Sequence, residues 1–123
     1  LAKHFDKHSA ISKVIFPGLE TSDYHALARD QFGGRFGSLL TIRCGSKENA
    51  FSVLNQLKLV KNMTNLGDSK TLAIHPASTI YRSCSVEEQE DAGVFDDLLR
   101  ISVGLENIKD LISDFDQAFE NLG

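Results

Sequence analysis

The feature that most constrains this chain is its last apolar stripe. Ile108, Leu111, Ile112, Phe115, Phe119 and Leu122 stand at i, i+3, i+4, i+7, i+11 and i+14, the spacing that gathers side chains along one side of an α-helix. Such a stripe must be buried against another layer. Just upstream, Leu99, Ile101, Val103 and Leu105 alternate with Leu98, Arg100, Ser102 and Gly104, the two-sided pattern of a β-strand. A strand running into an amphipathic helix implies a sheet covered by helices.

The rest of the chain repeats that alternation of types. Residues 1–8 read as the end of an amphipathic helix, and Ser12-Lys13-Val14-Ile15-Phe16 as a short strand closed by the turn pair Pro17-Gly18. A helix capped by Ser22, with Asp23 near its positive end and Ala26, Leu27 and Phe32 on its apolar side, should run to Gly33-Gly34. Leu40, Ile42 and Cys44 then alternate with Leu39, Thr41 and Arg43 in a half-buried strand. Between residues 47 and 63, Ala50, Val53, Leu54, Leu57 and Val60 recur at helical spacing and predict one long helix. Asn65-Leu66-Gly67-Asp68-Ser69 is a turn, Thr71-Leu72-Ala73-Ile74 a strand that Pro76 ends, and Ser85-Val86-Glu87-Glu88 a capping box opening a short helix towards Gly93. The expected fold is α/β: one two-layer domain over residues 1–123, with a small, mostly antiparallel sheet covered by helices.

Charge and cysteine usage exclude several roles. Thirteen Lys and Arg against 17 Asp and Glu give a net charge of −4 with no basic cluster, which offers phosphate backbones and anionic membranes no electrostatic footing. No apolar run approaches the roughly 20 residues of a membrane-spanning helix. Cys44 and Cys84 have no CxxC spacing, so neither a disulfide framework nor a zinc site is indicated, and a reducing cytoplasmic setting is expected. Leu1 is not Met, and the first residues read as the end of a helix rather than the beginning of a chain, which suggests part of a longer polypeptide.

Arg100 is the residue most open to a chemical role. Its strand neighbours on the same side, Ser102 and Gly104, leave room above the sheet, and a guanidinium holds a carboxylate through two parallel hydrogen bonds. An arginine at a sheet border, snorkelling into water or pairing with an acid, gives the same pattern. His4, His8, His25 and His75 show no paired metal-ligand spacing, neither cysteine has an evident activating base, and Gly33-Gly34 with Gly37 precede a strand without the GK[ST] of a phosphate loop. The acidic run 87–91 reads as a solvated helix face.

Three ordered motifs nevertheless carry a resemblance. Asn65-Leu66-Gly67-Asp68-Ser69-Lys70-Thr71-Leu72, His75-Pro76-Ala77-Ser78-Thr79 and Leu99-Arg100-Ile101-Ser102-Val103-Gly104-Leu105-Glu106, together with Phe16-Pro17-Gly18-Leu19-Glu20 and Tyr24-His25, resemble the C-terminal part of the pyridoxal-phosphate-dependent enzymes of Cys/Met metabolism, the trans-sulfuration family. The resemblance implies the small C-terminal domain of the aspartate-aminotransferase type of fold. It also implies a cofactor domain upstream that supplies the Schiff-base lysine, the aspartate facing the pyridine nitrogen, the stacking tyrosine and the phosphate cradle. The chain alone would then be non-catalytic and bind no pyridoxal 5'-phosphate, and the complete enzyme would be a homotetramer.

By the same resemblance Arg100 binds the α-carboxylate of an amino-acid substrate and Asn65 adds an amide donor beside it. Asn65 before Leu66-Gly67-Asp68 makes the chain look most similar to the O-acetylhomoserine sulfhydrylases, which make homocysteine or methionine from O-acetyl-L-homoserine and sulfide or a thiol. Methionine γ-lyases and cystathionine γ-synthases or lyases are the alternatives within the family, and more often have serine at that place. One departure is Tyr81, which stands where relatives carry histidine after the Pro-Ala-Ser run. A reading of another class, a small non-catalytic binding domain sharing only ancestry, predicts a start codon just before Leu1.

Overall fold

The computed structural model describes residues 1–120 and 122. Along the chain run α1 (Ala2–Phe5), β1 (Lys13–Ile15), α2 (His25–Phe32), β2 (Leu39–Arg43), α3 (Lys47–Gln56), β3 (Lys61–Asn62), β4 (Leu72–Ile74), a 3₁₀ turn (Pro76–Ser78), α4 (Val86–Asp91), β5 (Leu98–Ser102) and α5 (Ile108–Phe119). The strands form one mixed sheet in the order β1-β2-β5-β4-β3. All neighbours are antiparallel except β3 and β4, which run parallel. The expected α/β class holds, and the parallel pair is its one exception to antiparallel pairing.

The stripes named above meet on one side of the sheet. Leu40 and Ile42 of β2, Cys44 just after it, Ala73 of β4 and Leu99 and Ile101 of β5 pack against Ala50, Val53 and Leu54 of α3 and Leu111, Phe115 and Phe119 of α5. Phe5 of α1 closes the cluster edge-on against Phe115, with ring centroids 4.8 Å apart. Burying a side chain of this size contributes about 1.5–3 kcal/mol before the opposing chain entropy. The capping box at α4 forms as expected: the Ser85 hydroxyl accepts from the Glu88 N–H, and the Glu88 carboxylate accepts from the Ser85 N–H.

Three expectations fail, each for a visible reason. The helix expected to reach residue 63 stops at Gln56, and Leu57 is extended (φ −61, ψ 132). The carboxylate of Asp114 on α5 accepts the backbone N–H groups of Lys58, Leu59 and Val60 at 2.9, 2.9 and 3.0 Å, which withdraws those donors from the helical ladder. Val60 is still buried, but as part of a turn into β3.

The second helix starts at His25 with no side-chain cap, because the Ser22 hydroxyl accepts instead from the nearby Tyr24 N–H at 3.3 Å. Its supposed apolar side is outward: Leu27 and Phe32 are 55% and 56% exposed, and Ala28 alone is buried. Finally, the alternation after Ser102 does not persist, since Leu105 is exposed and its N–H is taken by the Ser69 carbonyl at 2.8 Å. Among the described residues no helix is long and apolar enough to cross a membrane.

Candidate functional site

β5 is paired along both edges, with Arg100 facing Thr41 of β2 and Ile74 of β4. Its neighbours Leu99 and Ile101 point into the core and are fully buried. Strand alternation therefore turns Arg100 to the opposite face, away from α3 and α5, where it is half-buried. There one guanidinium nitrogen donates to the Thr64 carbonyl at 2.7 Å. A guanidinium carries five N–H donors in a fixed fork, so this single bond orients the group and engages only part of it.

The loop that supplies Thr64 also carries Asn65, and it lies across the same face. Both residues are exposed. The loop is fastened to β5 and the residues after it at successive points. The Gly67 N–H donates to the Ser102 hydroxyl at 3.0 Å, and Gly67 itself turns with φ +69. The Thr71 N–H and hydroxyl donate to the two oxygens of the Glu106 carboxylate, both at 2.7 Å. The Gly104 N–H donates to the Thr71 hydroxyl oxygen at 2.9 Å. Gly104 is required by contact, since a Cβ there would stand 2.4 Å from the Ser69 carbonyl oxygen.

Electrostatics follows these bonds. Burial disfavours the ionised Glu106 carboxyl, but the hydroxyl and amide of Thr71 outweigh it and hold the group below the usual carboxylate range. The Lys70 N–H, foremost, does the same for Asp68, helped by the Ser69 hydroxyl. The structure thus brings the Asn65 loop onto Arg100, and adds Ser102, Thr71 and Glu106, for which sequence reasoning assigned no separate role. Alternation marked Ser102 only as a small neighbour, and nothing local marks Thr71 as the partner of Glu106.

The other candidates take structural places. His75 is buried, with one ring nitrogen donating to the Asp96 carbonyl at 2.7 Å, which leaves the other to accept the Ser78 hydroxyl and N–H. That arrangement caps the 3₁₀ turn and accounts for the His75-Pro76-Ala77-Ser78 run. Cys44 is buried in the core, and burial first, then the negative charge of Asp97, pushes its thiol up to about 12. Arg43, its neighbour on β2, pairs with Asp97 at 2.7 Å while stacking over the Phe95 ring. Among the described residues no three His, Cys, Asp or Glu gather as a metal site.

Pyridoxal phosphate does not fit the residues present. A lysine that holds a carbonyl cofactor must be shielded from water so that its amine is free to react, and every lysine of this chain is exposed.

A sequence profile described as Cys/Met metabolism PLP-dependent enzyme matches residues 1–120. A homocysteine synthase of Schizosaccharomyces pombe is 42% identical over 121 residues, covering 98% of this chain and 28% of that protein. An L-methionine gamma-lyase of Fusobacterium nucleatum is 40% identical over 123 residues, covering 99% of this chain and 31% of that protein. Among solved structures, a Campylobacter jejuni protein described as an O-acetylhomoserine (thiol)-lyase, which holds a pyridoxyl-lysine adduct, superposes with a TM-score of 0.94 at 39% identity. The match covers 98% of this chain and 29% of that one. The chain therefore spans less than a third of the length of these relatives.

Proposed function

Since the chain belongs to the Cys/Met-metabolism family of pyridoxal-phosphate-dependent enzymes, we propose that it is the C-terminal substrate-recognition domain of an O-acetyl-L-homoserine sulfhydrylase. In that enzyme acetate leaves the γ-carbon of O-acetyl-L-homoserine and sulfide or a thiol takes its place, giving homocysteine or methionine. The residues of this chain act on the other end of the substrate. Arg100 receives the α-carboxylate, its fork pre-set by the bond to Thr64, and the Asn65 amide donates beside it. The cofactor, its lysine and the groups that handle the γ-substituent belong to a preceding domain of the same polypeptide, and the assembled enzyme is a homotetramer.

The observation that carries this reading is the placement of Arg100. It stands on the side of β5 away from the helices, with one N–H committed to a backbone carbonyl and no acidic side chain paired with it among the described residues. An arginine kept from acids but held in orientation is arranged for an anion that comes and goes. In the complete enzyme, Arg100→Ala is expected to lower kcat/KM for the preferred amino acid by about tenfold to a hundredfold, with cofactor absorbance nearly unchanged. Wild-type kcat/KM in that variant would return Arg100 to a sheet-border role.

The choice within the family rests on Asn65 and on similarity to a homocysteine synthase and an O-acetylhomoserine (thiol)-lyase. Methionine γ-cleavage is the second reading, favoured by the 40% identity to an L-methionine gamma-lyase. Assays with O-acetylhomoserine plus sulfide, with cystathionine and with methionine separate the two. A preference for methionine would overturn the sulfhydrylase assignment.

A further inference from the structure

We infer that Glu106 and Ser102 are positioning residues for the carboxylate site, acting on Arg100 through the loop that carries Thr64 and Asn65. The inference rests on the reading of Arg100 as the α-carboxylate clamp. Its basis is a seam. Arg100, Ser102, Gly104 and Glu106, alternate residues along β5 and its continuation, each meet the loop, and they meet it in chain order at Thr64, Gly67, Ser69 with Thr71, and Thr71.

The lower part of that seam is chemically saturated. The Thr71 hydroxyl has one proton to give and gives it to Glu106, while its oxygen accepts from Gly104. The second Glu106 oxygen takes the Thr71 N–H. A glutamine at 106 keeps only one acceptor, so either the Thr71 hydroxyl or the Thr71 N–H loses its partner. Ser102 is buried, and its hydroxyl is the acceptor of the Gly67 N–H next to the exposed Leu66.

The upper part of the seam is where position becomes recognition. The Thr64 carbonyl fixes the direction of the Arg100 fork, and Asn65 is the next residue, so whatever moves this loop turns the fork and shifts the amide together. Bidentate contacts tolerate little misplacement, and a displacement of about 1 Å is enough to weaken them severely. Among the described residues no hydrogen bond joins Glu106 or Ser102 to the fork or to Asn65, yet through the loop they set where both stand.

The test uses the complete, cofactor-loaded enzyme and four variants: Arg100→Lys, Glu106→Gln, Thr71→Val and Thr71→Ser. Thr71→Val removes the hydroxyl without changing shape, and Thr71→Ser restores it. We expect Glu106→Gln and Thr71→Val each to raise KM for the amino-acid substrate by roughly fivefold to tenfold, less than the loss of one of the arginine's own charge-assisted hydrogen bonds because the change reaches the substrate only through the loop. Their kcat and cofactor absorbance should stay near wild type, and Thr71→Ser should recover most of the KM. Because the seam acts on the arginine, Glu106→Gln combined with Arg100→Lys should raise KM by less than the product of the single effects.

A purely structural Glu106 would lower the amount of folded enzyme and leave KM alone, and that outcome overturns the inference. Single effects that multiply in the double variant also overturn it. If Glu106→Gln yields no folded enzyme, the Thr71→Val and Thr71→Ser pair decides by the same KM comparison. A silent Arg100→Lys overturns the carboxylate reading itself and the inference with it. A responsive Arg100→Lys beside silent Glu106→Gln and Thr71→Val overturns the positioning role alone.

Discussion

Cys44 and Cys84 differ in setting, and the difference fixes their reactivity. Cys44 lies in the core with its thiol pushed up to about 12, whereas Cys84 is half-buried. Near neutral pH a thiol-specific reagent should therefore label Cys84 within the native protein and reach Cys44 only after denaturation, as mass spectrometry of labelled peptides would check. Rapid labelling of Cys44 would mean that the β2 face opens.

At the carboxylates the sign runs the other way. Glu106 and Asp68 are held below the usual carboxylate range in the folded protein, so their contribution is complete above that range and is lost as pH falls below it, through the lowered folded-state value. Protection of the loop amides of Gly67 and Thr71 against hydrogen exchange, taken relative to the intrinsic exchange rate at each pH, should fall on acidification from neutral pH to about 3, and Glu106→Gln should flatten that dependence. Equal pH dependence in the variant would place the acid-labile contact elsewhere. Of these residues, Arg100 was readable in the sequence because alternation and small neighbours mark its face. The partnership of Glu106 with Thr71 was not, because it joins distant positions through a loop with no periodic signal.

Elements were readable to the extent that local pattern decides them. The stripe of α5 is borne out by Leu111, Phe115 and Phe119 in the core, although its first member, Ile108, is exposed, and the alternation of β2 by Leu40 and Ile42, continued by Cys44 just after the strand. The end of α3 was not readable. It is set by Asp114, a buried acid on α5 that takes three backbone donors from the chain after α3, with Gln117 donating to the Gln56 carbonyl at 2.7 Å. Asp114→Ala should destabilise the fold by about 2–4 kcal/mol, since three backbone N–H groups, that of Val60 buried, lose a charged acceptor. Asp114→Asn should recover only part of this, because its amide turns a donor towards other donors. Urea denaturation of the two variants measures the difference, and a midpoint for Asp114→Ala equal to wild type would show that the turn holds without its acceptor. The outward face of α2 escaped for a related reason: Leu27 and Phe32 have helical spacing, but helical spacing does not say what lies opposite.

For the whole molecule, the absence of any shielded lysine predicts that this chain alone retains no pyridoxal phosphate. Mixing and dialysis followed by an absorbance spectrum checks it, and a retained cofactor band would relocate the cofactor lysine to this domain. The order of the sheet has a separate consequence, in time. β5 is the last strand along the chain and the central one in space, joined to β2 on one side and β4 on the other. Without β5, the pairs β1–β2 and β3–β4 have no strand to join them, and each would keep an unsatisfied inner edge with no roof from α5. Both β5 and α5 must therefore be made before this domain can close, and its waiting edges are surfaces open to a chaperone.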